Sequence, residues 1–208
     1  MKSAIVSCIV VTSLFAALPL VAAQDQHNNN GDWGQHHRFQ LTSTTFSRGG
    51  TFPLSMVAGP NLCSFFSGGL DQSPQLSWSH APYGTRTFVV ILYDVVAGFT
   101  HWGIYNIPAT TTMLPENAGV PNSTYGQQIG NDFDDENYDG PCPPPQYTPA
   151  SHHYVFTVYA LDTTLPTLPA HGDFPPLPEG LYHVLMQAAG SGHILDQASI
   201  DGYFPAPD

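Results

Sequence analysis

Basic side chains are scarce in this 208-residue sequence. Four Lys and Arg residues stand against 16 Asp and Glu residues, which gives a formal net charge of -12 at pH 7. Proteins that bind nucleic acids or anionic membrane surfaces need clustered Lys and Arg, whereas Arg38, Arg48 and Arg86 are far apart in this sequence. The composition therefore argues against a nucleic-acid or anionic-membrane partner.

Long apolar runs are also scarce, and the longest lies at the N terminus. Residues 4–23 follow Lys2, contain Pro19, and end in the small-residue site Val21-Ala22-Ala23. This layout is typical of a secretory signal peptide. A membrane anchor is the alternative, but the run is short for a span and is broken by proline. We expect cleavage after Ala23 and an exported mature protein, periplasmic or extracellular, without integral membrane contact.

Cysteine is scarce as well. Cys8 lies in the predicted signal peptide, which leaves Cys63 and Cys142 in the mature chain. In an oxidising compartment such a pair favours a disulfide, and two separate buried thiols are the alternative. Neither cysteine belongs to a C-x-x-C pair, and there is no H-E-x-x-H motif. We therefore expect no metal and no cofactor.

The remaining sequence predicts one all-β domain. Residues 24–37 contain almost no aliphatic side chain and predict a flexible arm, so the domain spans 38–208. Rich in Gly, Pro and small polar residues, the domain contains β-branched and aromatic runs typical of strands. These runs are 74–78, 87–94, 100–108, 152–162 and 193–204, and Pro74 predicts that the first of them is an edge strand. Residues 179–190 have helical periodicity, so we expect a β-sandwich with one or two short peripheral helices.

Three polar residues stand at the ends of these apolar runs. Asp94 ends one run, and His101 and His152 begin two others. Because the strands of a sandwich end at the solvent-exposed edges of the sheets, the three side chains could line one pocket there. The alternative is a turn-forming aspartate and two half-buried histidines. Strand alternation places Tyr154 on the same face as His152, and His153 on the opposite face.

Several motifs resemble those of the phosphatidylethanolamine-binding protein family in order and approximate spacing. The similarity is greatest to the bacterial branch described as Raf-kinase-inhibitor-like, and it covers residues 39–204. The motifs are SPQLSWSHAPYGTRTFVVILYD at 73–94, THWGIYNIPATTTMLPENAG at 100–119, YDGPCPPPQ at 138–146, HHYVFTVYALD at 152–162 and GHILDQASIDGYF at 192–204.

The resemblance implies a Greek-key β-sandwich with a small surface pocket. In the family this pocket accepts anionic groups such as phosphate, phosphorylethanolamine or acetate, and the protein is a non-catalytic ligand-binding module. The matching positions are Asp94, His101, Gly140, Pro141, Cys142, Pro143, His152 and Tyr154. We therefore expect a small anionic or phosphoryl-containing ligand as the partner.

The sequence departs from the family pattern at two places. The family's Asp-Pro-Asp-x-Pro segment is replaced by Asp94-Val95-Val96-Ala97-Gly98, and His153 stands where the family has arginine. Two prolines and one carboxylate are thus missing, which predicts a looser and less polar pocket wall. Loss of that carboxylate also removes a counter-charge for an ethanolamine ammonium, which favours simpler anions.

The proline run beside the histidines predicts a rigid wall. Each proline fixes φ near −65°, so residues 140–145 lose little entropy on forming one side of a cavity. A Cys63–Cys142 bridge would hold that wall further. We expect a neutral imidazole here to donate one hydrogen bond to the ligand and a protonated one to donate two. Because Asp94 nearby favours the protonated form, we also expect anion affinity to rise as pH falls through about 6.5.

Two other functions stay open on the sequence. One is a secreted interaction or inhibitor module that acts on another protein. The other is a hydrolase that uses Asp94, His101 and His152. The sequence contains no G-x-S-x-G nucleophile motif, which argues against the second.

Overall fold

The computed structural model describes residues 38–64, 66–145, 150–168 and 193–207. The predicted signal peptide at 1–23, the arm at 24–37 and the helix at 179–190 lie outside the described residues. Among the described ranges, no helix is long and apolar enough to cross a membrane.

Within the described residues, nine strands form two sheets. The larger sheet has the order β2-β9-β8-β4-β5-β7 and the smaller has the order β1-β3-β6. β2 pairs with β9 in parallel, and the other pairs are antiparallel. The strands are β1 Gln40–Thr42, β2 Gly50–Thr51, β3 Leu76–Ser79, β4 Thr87–Asp94, β5 Phe99–Pro108, β6 Met113–Leu114, β7 Gln127–Ile129, β8 Ser151–Leu161 and β9 Ile194–Pro205.

The predicted all-β sandwich is confirmed, and its burial pattern follows the sequence. β4 is almost continuously buried, as its unbroken β-branched and aromatic run predicts. At the start of β8, by contrast, buried and half-buried residues alternate. The alternation predicted for β8 is also correct, since His152 and Tyr154 are buried and His153 is only half-buried. Among the described residues, the one helical element is a 3-10 turn at Leu54–Met56.

One detail of the predicted sandwich is wrong. The sequence PQLSW predicts an edge strand because proline cannot donate a hydrogen bond to a neighbouring strand. The structure begins β3 at Leu76, two residues after Pro74, and places β3 between β1 and β6. The proline therefore precedes the strand, where it interrupts no ladder.

Two apolar clusters cover the two faces of the six-stranded sheet. The larger cluster fills the space between the sheets and joins Leu41, Leu76 and Trp78 of the small sheet to Phe88 and Phe156 of the large one. The smaller cluster includes Val89, Ile91, Tyr105 and Tyr159. Because strand side chains alternate, Val89 and Ile91 lie on the opposite face from Phe88. The large sheet thus has apolar side chains on both faces.

A disulfide joins Cys63 to Cys142, as the sequence predicts. The two Cα atoms are 5.7 Å apart, and 79 positions separate the residues in sequence. The bridge connects the loop after the 3-10 turn to the proline run at 140–145. It therefore constrains the segment that the sequence predicts as a pocket wall.

Candidate ligand-binding site

A cleft of about 440 Å³ lies where β4, β5 and β8 begin or end at one edge of the sandwich. Five of the predicted site residues line it, and these are Asp94, His101, Cys142, His152 and Tyr154. The other lining residues are Val96, Ala97, Phe99, Phe133 and Pro144. Among the described residues, the most buried lining side chains are thus polar, and the other lining side chains are mostly apolar.

Asp94 shapes the turn that forms one side of the cleft. Its Oδ1 accepts the N–H groups of Val96 at 2.9 Å and Ala97 at 3.0 Å. Its backbone carbonyl accepts the N–H of Gly98 at 2.8 Å. Gly98 has φ +67, a left-handed conformation that glycine adopts without a steric penalty. Three hydrogen bonds therefore close this turn without the family's two prolines, while Val96 and Ala97 give it an apolar surface.

The two histidines are oriented by hydrogen bonds at Nδ1. His152 Nδ1–H donates to Asp94 Oδ2 at 2.6 Å, and His101 Nδ1–H donates to the Asp139 carbonyl oxygen at 2.8 Å. A neutral imidazole has one N–H, so a ring that uses it at Nδ1 presents only a lone pair at Nε2. The expectation that a neutral imidazole donates to the ligand is therefore wrong here, because that donor is already engaged. Each ring gains a donor at Nε2 only when it is protonated.

The Nε2 atom of His152 is buried and has no hydrogen-bond partner among the described residues. Leaving a buried polar atom unpaired costs about 1–3 kcal/mol. A ligand that hydrogen-bonds to this nitrogen would recover that energy.

Burial lowers the pKa of His101 below its ordinary value of 6.5. The Asp139 carbonyl and the negative charge of Asp94 oppose the shift, but desolvation is the larger influence. We expected Asp94 to favour protonation in the cleft. At His101 this influence is present and is outweighed by burial.

Tyr154 contributes a second unpaired polar atom. Its hydroxyl is buried and has no hydrogen-bond partner within the described structure. Burial, and after it the negative charge of Asp94 and an interaction of the phenol with that carboxylate, raises the pKa of Tyr154 far above its ordinary value of 10.0. The phenol therefore keeps its proton at physiological pH, and a ligand would compete with the Asp94 carboxylate for its O–H.

Three predicted residues support the cleft from behind and are not among its lining residues. The Gly140 N–H donates to Asp71 Oδ1 at 2.7 Å, and the Pro141 carbonyl accepts the Ala58 N–H at 3.2 Å. A Cβ at Gly140 would overlap the Met56 carbonyl oxygen, so the chain passes where only glycine fits. Pro143 is buried. Pro144, which was not among the predicted residues, lines the cleft.

Aromatic rings surround His101. Its ring centroid lies 5.1 Å from Phe99, 5.4 Å from Phe133 and 5.3 Å from Tyr154. Phe99 could have been predicted, because it precedes His101 by two residues on β5 and so shares its face. Phe133 lies in an irregular acidic segment, where no sequence periodicity indicates which way a side chain points.

Two acidic side chains form a pair beneath the wall. The carboxyl groups of Asp71 and Asp139 lie within hydrogen-bonding reach of each other, and burial raises the pKa of Asp71. Burial likewise raises the pKa of Asp139 to about 7, with further contributions from the negative charges of Asp71 and Asp135. Since Asp71 holds Gly140 and the Asp139 carbonyl holds His101, this pair supports both sides of the cleft.

We expect Asp71→Asn to stabilise the protein at pH 8 by about 1 kcal/mol. Both carboxyl groups have folded-state pKa values above their unfolded values. Their contribution to stability is therefore greatest below pH 4 and is lost as pH rises toward 7. An amide at position 71 can still accept the Gly140 N–H, and it adds a donor for Asp139.

The measurement is urea unfolding of both proteins at pH 5 and pH 8. Asp196→Asn, at an exposed position on β9, is the control for loss of a surface carboxylate. Equal destabilisation by Asp71→Asn at both pH values would contradict the paired arrangement.

No group of three His, Cys, Asp or Glu side chains that could hold a metal ion occurs in the part of the chain that the structure describes. Asp94 has both carboxylate oxygens engaged, one by the turn and one by His152. Asp94 therefore has no free oxygen with which to join His101 and His152 in holding a metal ion.

Fold and cleft together define an all-β sandwich with a small, partly polar cleft at the ends of its strands. The family model described as phosphatidylethanolamine-binding protein matches residues 42–205. The chain belongs to the phosphatidylethanolamine-binding protein family.

Individual relatives agree with this assignment. The chain is 40% identical to the Escherichia coli UPF0098 protein YbcL over 133 residues, which is 60% of this chain and 69% of YbcL. An Aquifex aeolicus UPF0098 protein is 34% identical over 168 residues, covering 76% of this chain and 92% of the relative. The crystal structure of YbcL superposes with a TM-score of 0.65 at 31% identity, over 80% of this chain and 98% of that one.

Proposed function

We propose that this protein is an exported, non-catalytic ligand-binding protein whose cleft takes a small anion or a phosphoryl headgroup. The observation that carries the proposal is the buried Nε2 of His152, which has no hydrogen-bond partner, beside the buried hydroxyl of Tyr154. Both atoms belong to residues that line one cleft. The family's description as phosphatidylethanolamine-binding supports a ligand of this chemistry.

The charges favour an anion that binds together with a proton. Asp94 Oδ2 accepts the Nδ1–H of His152 at 2.6 Å, which leaves only Nε2 of that ring for a ligand. Protonation turns Nε2 from an acceptor into a donor, which an anionic oxygen can then accept. Asp94, imidazolium and anion would form a row of alternating charge. Tyr154 supplies one further donor.

The composition of the cleft supports a non-catalytic role. Neither serine nor threonine is among the described residues that line it, and the Cys142 sulfur is in a disulfide. An Asp–His pair needs an adjacent nucleophile or an activated water to perform hydrolysis. The described part of the cleft offers binding groups around Tyr154 and no free serine, threonine or cysteine nucleophile.

The direct test is calorimetric titration of the protein with inorganic phosphate at pH 5.5. We expect saturable binding that His101→Ala/His152→Ala weakens at least a hundredfold. His193→Ala is the matched control, since His193 also pairs with a carboxylate, Asp162, but is exposed and lies outside the cleft. Thermal unfolding should show that all variants are folded. Phosphate binding that survives in the double variant would contradict the proposal, and so would a folded wild-type protein that binds no phosphate.

Anion affinity should rise as pH falls. Because the pKa of His101 is lowered, its ring is neutral at pH 7 and must take up a proton to donate at Nε2. Binding coupled to uptake of one proton tightens by up to about tenfold per pH unit, and it levels off once the free ring is protonated. That point lies below the 6.5 expected from an ordinary histidine.

Sulfate is the suitable probe for this pH dependence, because its charge does not change over the range. We expect sulfate to bind at least tenfold more tightly at pH 5.5 than at pH 8. Equal affinities at the two pH values would exclude coupling to histidine protonation.

A further inference from the structure

Asn131 is a buried polar residue behind the cleft that contains Asp94, His101 and His152, which is the ligand cleft of the proposed function. It lies two residues after β7 and opens the acidic segment 131–139, which leads to the proline run. Its side chain is fully buried, although asparagine is mostly an exposed residue type. Burial of an amide is costly unless its polar atoms are paired. The partners of this side chain therefore indicate what it holds in place.

The side-chain oxygen of Asn131 shapes the turn that carries Phe133. Oδ1 accepts the N–H of Phe133 at 2.8 Å and the N–H of Asp135 at 3.2 Å. The backbone of Asn131 closes the same turn, since its N–H donates to the Asp135 carbonyl at 2.9 Å and its carbonyl accepts the Asp134 N–H at 3.1 Å. Phe133 lines the ligand cleft, and its ring centroid is 5.4 Å from that of His101. One end of the amide therefore fixes an aromatic wall of the cleft.

The side-chain nitrogen of Asn131 joins two further segments. Nδ2 donates to the His101 carbonyl at 3.2 Å, to the Asn137 carbonyl at 3.1 Å and to a carboxylate oxygen of Asp139. Asp139 in turn meets His101 twice. Its N–H donates to the His101 carbonyl at 3.1 Å, and its carbonyl accepts the His101 Nδ1–H at 2.8 Å. The same side chain therefore holds the strand that carries the ring and the residue that accepts the ring proton.

Position 131 requires both kinds of hydrogen-bonding atom in one short side chain. A neutral amide combines an acceptor oxygen with two N–H donors. Here the oxygen takes two backbone N–H groups, and the nitrogen faces three acceptors. An aspartate would face those acceptors with a second oxygen, and an alanine would leave all five groups without this partner.

We propose that Asn131 is a positioning residue that keeps neutral His101 in the tautomer with Nδ1 protonated, so that Nε2 stays a bare nitrogen. Asn131 is not among the residues that line the ligand cleft, so it acts through His101. It holds the Asp139 carbonyl in line with Nδ1. Once that carbonyl is released, a neutral His101 can carry its proton at Nε2 and donate it to an anion directly. The inference rests on the proposed function in taking this cleft as the ligand site.

Other neighbours of His101 act on its charge. Burial lowers its pKa, the Asp139 carbonyl gives the largest opposing influence, and the negative charges of Asp94 and Asp132 add to that opposition. These influences decide when the ring takes up a second proton. The tautomer of the neutral ring depends on which nitrogen has an acceptor, and Nδ1 has the Asp139 carbonyl. The titratable side chains around the ring are Asp94 on β4, Asp132 and Asp139 in the acidic segment, and His152 and Tyr154 on β8.

The test is ring-nitrogen NMR of the ligand-free protein at pH 8, applied to wild type and Asn131→Asp. This substitution keeps an oxygen for the Phe133 N–H and places a second oxygen against the Asp139 carboxylate. We expect His101 to be protonated at Nδ1 in wild type. In the variant we expect the Nε2-protonated tautomer to be at least as populated as the other.

Asn137→Ala is the matched control. Asn137 Nδ2 also donates to the Asp139 carboxylate, at 3.0 Å, but its side chain makes no hydrogen bond to His101 within the described structure. Its removal should therefore leave His101 protonated at Nδ1. Thermal unfolding shows which variants are folded.

Asn131→Ala adds no titratable group, so it serves for sulfate binding, and it also replaces Asn131→Asp in the NMR experiment if that variant does not fold. We expect the ratio of sulfate affinities at pH 5.5 and pH 8 to fall at least about threefold below the wild-type ratio, because neutral His101 can then donate at Nε2. A purely structural role would weaken sulfate binding equally at both pH values and would contradict the inference.

The remaining outcomes separate the two proposals. Wild-type His101 protonated at Nε2, or a folded Asn131 variant that keeps Nδ1 protonated, would overturn the inference. So would a tautomer change in Asn137→Ala as large as that in Asn131→Asp. A folded wild-type protein that binds neither phosphate nor sulfate would overturn the proposed function instead, and the tautomers of the ligand-free proteins would still decide the role of Asn131.

Discussion

Removal of the disulfide is expected to lower the free energy of unfolding by about 4 kcal/mol. The Cys63–Cys142 bridge closes a loop of 79 positions, and a long closed loop restricts the unfolded chain more than a short one does. A typical domain has only about 5–15 kcal/mol of stability. The loss would therefore be a large fraction of the total.

The measurement is urea unfolding of wild type and of Cys63→Ala/Cys142→Ala. Wild-type protein treated with a reductant should show a similar loss, which controls for the change of side chain. Cys142 lines the ligand cleft, so we also expect weaker phosphate binding in the folded variant. A change in unfolding free energy below about 1 kcal/mol would show that the bridge adds little to stability.

Gly140→Ala is expected to destabilise the protein by about 3 kcal/mol and to disrupt the cleft. A Cβ at this position would overlap the Met56 carbonyl oxygen and would also lie 2.7 Å from the Ala58 nitrogen. These are backbone atoms, so no side-chain rotation relieves the overlap. The segment 140–143 must move away, and the Gly140 N–H would then lose its bond to Asp71.

Gly59→Ala provides the matched control for the loss of a glycine. Its Cβ would meet its nearest neighbour at 3.8 Å, an ordinary van der Waals contact. We expect Gly59→Ala to change the free energy of unfolding by less than 1 kcal/mol. Similar stabilities of the two variants in urea, with phosphate binding retained by Gly140→Ala, would contradict the account of the wall.

Much of the fold could be predicted from short-range pattern. Residues 87–94 have no polar face, which indicates a strand buried on both sides, and β4 is buried in this way. The alternation in β8 correctly predicts inward His152 and Tyr154. The position of β3 could not be predicted, because Pro74 is compatible with an edge strand and also with a residue that precedes a central one.

Less of the chemistry of the site than of the fold could be predicted from the sequence. Asp94, His101 and His152 are recognisable as strand-end polar residues, but their hydrogen-bond partners depend on tertiary structure. The Asp139 carbonyl that engages His101 is 38 positions away in sequence. Sequence therefore indicates which side chains meet and leaves open which ring nitrogen faces the ligand. That choice decides whether a neutral imidazole can donate to an anion.

The pairing of Asp71 with Asp139 also depends on the tertiary fold. The two residues are separated by most of the small sheet and the first half of the large one. Asp71 adopts φ 55, which aspartate tolerates better than most residues, and no sequence motif marks it as a site residue. It is brought to Gly140 by packing of the loop at 57–71 against the proline run, as the Ala58 bond to Pro141 shows.

The central claim is that an anion binds as a proton is added at Nε2 of a histidine in the cleft, His101 or His152. Ring-nitrogen NMR of the protein at pH 8, with and without saturating phosphate, tests it most directly, because imidazoles are in general neutral at that pH. We predict that the free protein shows Nδ1 protonated and Nε2 bare, and that phosphate converts Nε2 into a protonated nitrogen. A phosphate titration that saturates while both His101 and His152 keep bare Nε2 atoms would contradict the account.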